Sequence, residues 1–294
     1  MNSVPLTFYM PFAGDENTRR VLLSEYAANG AENIVLSDDF IRSIKLDPAQ
    51  AAVYQSEAAA AGLKFVDAHA PFGVAIDMNN ADESGILALN HTLHLHIAAQ
   101  MGVKSITIHT GNDSNVPGVS VEQQLDRISF MLDKLLPEAE KLDVAIAIEN
   151  IWVPVNTPES LWKIKQRFAT PYLGFCCDVG HANIMSYRNG RVHDQNSAAR
   201  SYWAKVNAGE PAWDDQILEK LLPELINCHL HDNYGDIDSH NLPGNGNIDW
   251  QKTVKLIKQA PRLKAIQSEV LPDKSLTSVK ELVTKFKELF GKEE

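Results

Sequence analysis

The sequence predicts a (β/α)8 barrel, a closed ring of eight parallel strands in which each strand is followed by a helix. Short apolar runs rich in β-branched residues alternate with longer stretches of helical spacing, and eight such runs occur. The length of 294 residues suits this fold. The chain contains neither the GxGxxG turn nor the GxxxxGK[ST] loop that would favour a nucleotide-binding, doubly wound sheet.

The strands are predicted in order at residues 5–10, 33–36, 64–69, 104–109, 144–149, 172–178, 226–231 and 264–269. Helical spacing fills the intervals, as at residues 83–101 and 121–142, and Ser120 is a suitable N-cap for the second. No Pro/Gly/Ser-rich linker divides the chain, so residues 1–294 are predicted to form a single domain. An insertion at about 183–225, rich in aromatic residues and arginine, suggests a lid or subunit contact, and a C-terminal helix is expected at about 275–291.

The composition narrows the choice of compartment and partner. The net charge of −11 argues against general attraction to nucleic acid or anionic membrane, although a local basic groove is compatible with it. The N-terminus lacks the pattern of a signal peptide and no run is apolar enough to span a bilayer, so we expect a soluble, cytoplasmic protein without a membrane partner. Three cysteines suit a reduced compartment. A small-molecule partner is favoured, nucleic acid is disfavoured without being excluded, and a homo-oligomer remains open.

Strands three to eight each finish on an acid or a histidine. These residues are His69, His109, Glu149, Asp178, His229 with its near neighbour His231, and Glu269. Barrel active sites form at the C-terminal ends of the strands, so these chain-distant residues are expected to converge on one mouth. Any one histidine at such a position is more often structural, but six strand ends together favour a site.

The grouping of carboxylates with imidazoles favours a divalent metal. A buried carboxylate without a partner costs several kcal/mol, and a metal is an economical partner for three carboxylates. Mixed nitrogen and oxygen ligands suit Zn²⁺, Mn²⁺, Co²⁺, Fe²⁺ or Mg²⁺, and one to three ions per chain are compatible with the residues. No cysteine ends a strand, which argues against a thiolate zinc site, and strand alternation points Cys177 and Cys228 away from the mouth.

The segment "HLHDNYGDIDSHNLPGNGNIDW" at residues 229–250 suggests a second cluster. Asp238 and His240 are separated by one residue, and His181 follows Asp178 by three. These three side chains could hold a further ion; the alternative is a hydrogen-bonded loop in which His240 is solvated. Asn247 or Asp249 is expected near a helix N-terminus.

Other aromatic and imidazole side chains have structural alternatives. Trp152, Trp203 and Trp213 could wall a sugar site, because aromatic faces pack on sugar C–H surfaces, or could pack in the core. His91 and His94 share one face of a predicted helix, where a surface or inter-subunit role is favoured over metal binding.

The motifs "VDAHAPFG", "ITIHTGN", "IENI", "CDVGHAN", "CHLHDN", "DSHNLPGNGNIDW" and "QSEV", in this order, resemble the xylose-isomerase-like TIM-barrel superfamily. That superfamily joins sugar isomerases and epimerases to the endonuclease IV type of enzyme (AP endonuclease family 2), and the resemblance covers most of the chain. It implies one ion held by Glu149, Asp178, His229 and Glu269. The endonuclease branch implies two more zincs, held by His69, His109 and Glu149, and by His181, Asp238 and His240.

Two departures bear on the choice of branch. Gly235 stands where tagatose-epimerase-like enzymes have a sugar-binding arginine, and His231 stands where endonuclease IV typically has asparagine. The sequence also has no basic loop set for DNA.

Three functions follow. The favoured one is a metal-dependent isomerase or epimerase of a sugar, sugar-like polyol or keto acid, which moves a proton through a metal-stabilised enediolate. Glu149 and Glu269 are the expected catalytic pair, and substrate contacts are expected from His181, Trp152 and His231. The alternatives are an endonuclease IV-like multi-zinc phosphoester hydrolase and a non-catalytic metal- or sugar-binding barrel.

Overall fold

A computed structural model describes residues 4–82, 85–187 and 197–291 of the chain. Its strands are β1 (Leu6–Phe8), β2 (Asn33–Leu36), β3 (Lys64–His69), β4 (Ser105–Ile108), β5 (Ala145–Glu149), β6 (Leu173–Asp178), β7 (Leu225–Leu230) and β8 (Ala265–Ser268). They pair in chain order, all parallel, and β8 closes on β1 with Thr7 opposite Gln267. The predicted (β/α)8 barrel is therefore confirmed.

The helices surround this ring. They are α1 (Glu16–Ala28), α2 (Asp38–Leu46), α3 (Gln50–Ala60), α4 (Ile86–Gln100), α5 (Val121–Leu142), α6 (Pro158–Lys165), α7 (Val179–Ile184), α8 (Ala198–Lys205), α9 (Ile217–Leu221), α10 (Trp250–Ile257), α11 (Pro272–Ser275) and α12 (Val279–Phe290). Ser120 caps α5 in a reciprocal capping box with Gln123, as predicted. Of the two candidates near α10, Asp249 is the N-cap.

Local conformation explains the differences from the predicted helices. The C-terminal helix predicted at about 275–291 starts at Val279 as α12, because Leu276 has a left-handed backbone (φ +52°) that ends α11 and Ser278 starts a new capping box. Residues 83 and 84 of the predicted 83–101 helix and residues 188–196 of the predicted insertion lie outside the described residues. The assignment of the chain to a single domain with that insertion stays a prediction.

Polar residues fill the barrel interior directly below the mouth. Asp67, Thr107, Asn227 and Gln267 are buried, and each precedes a mouth residue by two positions. Because side chains alternate along a strand, each pair points to the same inner face. The Asn227 amide donates to Asp67 Oδ1 at 2.7 Å, joining β7 to β3. This layer supports the mouth residues from below.

The surface role predicted for His91 and His94 is wrong. Both side chains are buried on the inner face of α4, and His91 Nε2 donates to the Ile76 carbonyl at 2.8 Å. The exposed face of α4 instead carries Ile86, Leu89 and Leu93.

The structure also describes the cysteines and the hydropathy of the helices. The three cysteines, Cys176, Cys177 and Cys228, are free and buried. Across the described ranges, no helix combines the length and hydropathy needed to cross a membrane.

Candidate active site

A cavity of about 400 Å³ opens at the C-terminal ends of the strands. Its lining residues are Tyr9, Asp38, His69, Phe72, His109, Asn112, Glu149, Ile151, Trp152, His181, Asp238, His240, Glu269 and Leu271. Eight residues predicted from the sequence are in this lining. The other three, Asp178, His229 and His231, are completely buried beside it. The strand ends therefore converge on one mouth.

His69, His109 and Glu149 form a compact triangle of ligand atoms. His109 Nε2 lies 3.2 Å from His69 Nε2 and 3.0 Å from Glu149 Oε2, while His69 Nε2 lies 3.6 Å from the same oxygen. A tetrahedral zinc with ligand bonds of about 2.0–2.1 Å separates its ligand atoms by about 3.3 Å. The triangle therefore has the dimensions of three corners of a zinc site.

His229 lies between two carboxylates. Its Nδ1 is 3.4 Å from Glu149 Oε1 and 3.0 Å from Glu269 Oε1, yet neither ring nitrogen makes a well-aligned hydrogen bond within the described residues. Buried polar atoms without such partners are what an ion site leaves when the protein atoms are considered alone. This donor set fits a divalent metal.

The close contacts of Asp178 are with residues outside that group. Its Oδ1 accepts a hydrogen bond from the His181 backbone N–H at 2.7 Å and so caps α7, while His231 Nε2 lies 3.2 Å from the same oxygen. Of the four residues expected to share one ion, the structure therefore brings together Glu149, His229 and Glu269. The fourth, Asp178, contacts His181 and His231 instead.

Asp238 lies close to two histidines of the cavity lining. Its Oδ2 lies 3.5 Å from His181 Nε2 and 3.0 Å from His240 Nε2. His240 is mostly buried, which disfavours the alternative of a solvated side chain. The predicted trio of His181, Asp238 and His240 is therefore assembled around one carboxylate oxygen.

Three lining histidines are oriented in the same way. In each, Nδ1–H donates to a backbone carbonyl and leaves Nε2 directed toward a carboxylate. The acceptors are the carbonyls of Ala70 for His69 (2.8 Å), Asn150 for His181 (2.9 Å) and Glu269 for His240 (2.7 Å). Metal-binding histidines are commonly held by such bonds, which select the tautomer and orient the ring.

The electrostatic surroundings of Glu149 and Glu269 differ. Burial raises the pKa of both carboxyls, but the His229 and His109 imidazoles outweigh it at Glu149, whose pKa is held well below its usual range. At Glu269 the neighbouring Glu149 and Asp178 charges add to burial, so its pKa is raised well above the usual range. Protein charges alone therefore leave Glu149 ionised and Glu269 protonated.

The surroundings of His181 favour its charged form. Burial opposes its charged form, but the Asp178 and Asp238 carboxylates outweigh burial and raise its pKa well above the ordinary value. The Trp152 ring packs edge-on against it, with centroids 4.8 Å apart. Trp203 donates to the Trp152 carbonyl at 3.0 Å and so supports this wall from behind.

Six lining residues had not been singled out in the sequence, and three of them are Tyr9, Asp38 and Phe72. Tyr9 and Asp38 come from the ends of β1 and β2, and Phe72 comes from the loop after β3. Asp38 was detectable as an acid that follows a predicted strand by two residues, with Ser37 between. The Phe72 ring lies 4.9 Å from that of His109.

Cys176 contacts the site from within the barrel. Its Sγ lies within 4.8 Å of ligand atoms of Glu149 and His229. Burial raises the pKa of this thiol well above its usual range, so it stays protonated and is a poor metal ligand. Cys177 and Cys228 lie in the outer core, away from the mouth as predicted.

Comparison with known proteins gives a family match over most of the chain. A family model described as "Xylose isomerase-like TIM barrel" matches residues 22–267. An uncharacterised protein of Sinorhizobium fredii and one of Methanocaldococcus jannaschii are each 26% identical, over 60% and 55% of this chain. The chain spans about half the length of these curated relatives, 49% in each case.

Solved structures with the same fold include sugar epimerases. A D-tagatose 3-epimerase-like protein is 19% identical, with a TM-score of 0.68, over 96% of this chain and 97% of its own. An L-ribulose 3-epimerase is 14% identical, with a TM-score of 0.68, over 98% and 93%. The IOLI protein with a bound zinc atom is 17% identical, with a TM-score of 0.63, over 97% and 96%. At these identities the likeness shows the fold.

Proposed function

The chain belongs to the family of xylose isomerase-like TIM barrels, and from this premise we propose that it is a metal-dependent isomerase or epimerase of a sugar, sugar-like polyol or keto acid. The observation that carries the proposal is the placement of Glu149 and Glu269, which line one cavity and approach the same nitrogen of His229. The sugar epimerases among the similar structures support the substrate class.

The reaction needs one group to remove a proton beside a carbonyl and another to return it. A pair of carboxyls whose pKa values are pushed apart suits these two tasks. In the absence of an ion, the histidine neighbours hold the pKa of Glu149 low, which suits the base, and burial with adjacent negative charge raises the pKa of Glu269, which suits the acid. Glu149 ends β5 and Glu269 directly follows β8, and both line the cavity in which a substrate would bind.

A divalent ion held by Glu149, His229 and Glu269, with Asp178 adjacent, would supply Lewis-acid polarisation of the substrate oxygens. The chain's own side chains bind and orient the substrate. His181 presents Nε2 to the cavity and would donate to a substrate oxygen, and Trp152 would pack on C–H groups of the sugar. His231 is buried behind the lining, so we assign it the positioning of Asp178 rather than substrate contact.

Deuterium exchange tests this function directly. Metal-loaded protein is incubated in D2O with a panel of ketoses, aldoses and keto-inositols, and incorporation at the carbon beside the carbonyl is followed by NMR. We expect exchange with at least one sugar, and its loss in both Glu149→Gln and Glu269→Gln. Glu122→Gln, at an exposed glutamate, is the matched control.

Other results would contradict parts of the proposal. Absence of exchange with every sugar argues against the proposed reaction, and sugar binding without exchange favours a non-catalytic binding barrel. Undiminished exchange in both glutamine variants rules out the two-carboxylate mechanism.

Phosphoester hydrolysis is a second candidate because the triangle of His69, His109 and Glu149 has zinc-site dimensions beside the His229 group. Several metal ions together activate water and neutralise a leaving oxygen. About three zincs per chain with cleavage of an activated phosphodiester or abasic DNA would favour this function. One ion per chain and no DNA binding at low salt would exclude it.

A further inference from the structure

The candidate cavity has two chemically different halves. The residues expected to hold the shared ion come from β5 to β8, whereas Tyr9 and Asp38 line it from β1 and β2. In a closed ring of eight strands in chain order, β2 lies opposite β6. Asp38 therefore provides a carboxylate at the opposite side of the mouth from Asp178.

Asp38 is held in place from outside the cavity. Arg42 Nε lies 3.4 Å from Asp38 Oδ2, and Arg42 Nη2 donates to the Phe72 carbonyl at 3.0 Å. One guanidinium thus links the acid after β2 to the loop that carries the aromatic wall. Asp38 is only 17% exposed, and its Oδ1 accepts no hydrogen bond from residues 4–82, 85–187 or 197–291.

Tyr9 provides the complementary donor. Its side chain lines the same cavity, and its hydroxyl makes no hydrogen bond with the described part of the chain. Burial, followed by the Asp38, Asp39 and Glu269 charges, raises the pKa of Tyr9 to about 12. The phenol is therefore neutral near pH 7 and can donate to a ligand oxygen.

We propose that Asp38 and Tyr9 recognise hydroxyl groups of the substrate and select unphosphorylated sugars. This inference rests on the proposed function and specifies its substrate class. Asp38 Oδ1 accepts a hydrogen bond from a sugar hydroxyl, and the Tyr9 phenol donates to a sugar oxygen. A phosphate at the same end would place its negative charge against the Asp38 carboxylate in a partly desolvated cavity, which is unfavourable.

The test compares three ligands on metal-loaded protein: a hexulose that the protein binds, the analogue lacking its terminal hydroxyl, and its terminal phosphate ester. Calorimetry measures Kd, and kcat and KM are measured where turnover occurs. We expect wild type to prefer the free sugar over both others by about 10-fold or more, the range for a hydrogen bond to a charged group. Asp38→Asn should reduce the discrimination against the ester, mainly through KM.

Asp39→Asn is the matched control, because Asp39 is the next residue of α2 and is absent from the cavity lining. It should bind all three ligands as wild type does. Thermal unfolding of each variant checks that the fold is retained.

Tighter binding of the ester than of the free sugar by wild type would overturn the inference. So would equal discrimination in wild type and Asp38→Asn. The proposed function fails separately, through absence of proton exchange with every sugar. In that case calorimetric binding of the three ligands still decides whether Asp38 selects the uncharged one.

Discussion

The imidazole rings of His231 and His240 stack with their centroids 4.0 Å apart and their planes 19° apart. Asp238 lies beside both rings, 3.4 Å from His231 Nε2 and 3.0 Å from His240 Nε2. His231 also contacts Asp178. A fully buried histidine of the β7 end thus connects a candidate metal ligand after β6 to the loop that carries Asp238 and His240.

This arrangement predicts a strong effect of Gly180→Ala. An added Cβ would lie 2.0 Å from His231 Cε1 in a buried part of α7. We expect His231 to be displaced, Asp178 to lose its contact with His231, and metal affinity measured by chelator competition to fall about 10- to 100-fold.

Gly14→Ala is the control, because the methyl group that it adds would meet no atom of the described residues within 4 Å, apart from its neighbours in the chain. Alanine has a higher helix propensity than glycine, so Gly180→Ala should not weaken α7 through helix propensity. Weaker metal binding in this variant would therefore come from the contact with His231. Unchanged affinity would show that His231 has no part in holding the site.

Metal removal should lower the stability of the protein. Four carboxyl groups lie close together at the mouth, those of Glu149, Asp178, Asp238 and Glu269. An ion that binds only the folded state stabilises it by about 4 kcal/mol when the free ion concentration is roughly 1,000 times Kd. We expect chelation to lower Tm and Zn²⁺ or Mn²⁺ to restore it. Glu149→Ala should abolish most of this response, whereas Glu122→Ala should retain it; equal responses would exclude Glu149 as a ligand.

Stability should fall in mild acid because of His94. Burial, followed by the neighbouring His91, lowers the pKa of His94 to about 3 from its ordinary 6.5. Below pH 6.5 the unfolded chain therefore takes up a proton that the folded chain does not. The free energy of unfolding is highest above pH 6.5 and decreases as the pH falls below that value. At about pH 5 the loss is about 2 kcal/mol for this histidine.

Denaturant titrations at about pH 7 and pH 5 measure this effect. His94→Met should lose less stability between the two values than wild type does. His96→Gln, at the exposed histidine of the same helix, should behave as wild type. Equal losses in wild type and His94→Met would contradict the assignment.

The buried ion pair of Arg19 and Glu57 should be sensitive to removal of one partner. Arg19 Nε and Nη2 donate to the two carboxylate oxygens at 2.8 and 2.9 Å, joining α1 to α3. Arg19→Met strands the Glu57 charge and should cost about 3–5 kcal/mol of unfolding free energy. Arg19→Met with Glu57→Leu should recover much of that loss.

The surface pair of Arg20 and Glu16 is the comparison, since it has similar chemistry at an exposed site. Its removal should cost less than about 1 kcal/mol in the same denaturant titration. Similar costs for the two pairs would show that burial does not set their energetics.

Local patterns in the sequence predicted most of the fold and most of the residues that lie at the mouth of the barrel. Strand periodicity placed every strand end within two residues of its observed position, which is why Glu149, His69 and His109 could be expected together. Helix ends were less well predicted where a single left-handed residue, Leu276, interrupts the chain. The inward orientation of His91 and His94 was missed, because their helix is apolar on its exposed face as well.

The sequence by itself determined that acids and histidines end six strands of one barrel, because strand alternation and the parallel ring are encoded by short-range patterns. Only the tertiary structure decided which atoms meet. Asp178 turns to cap α7, His231 stacks on His240 beneath the lining, and Asp38 with Tyr9 joins the cavity from β1 and β2. These contacts depend on side-chain rotamers and loop paths that are set by packing between chain-distant groups, which no local pattern specifies.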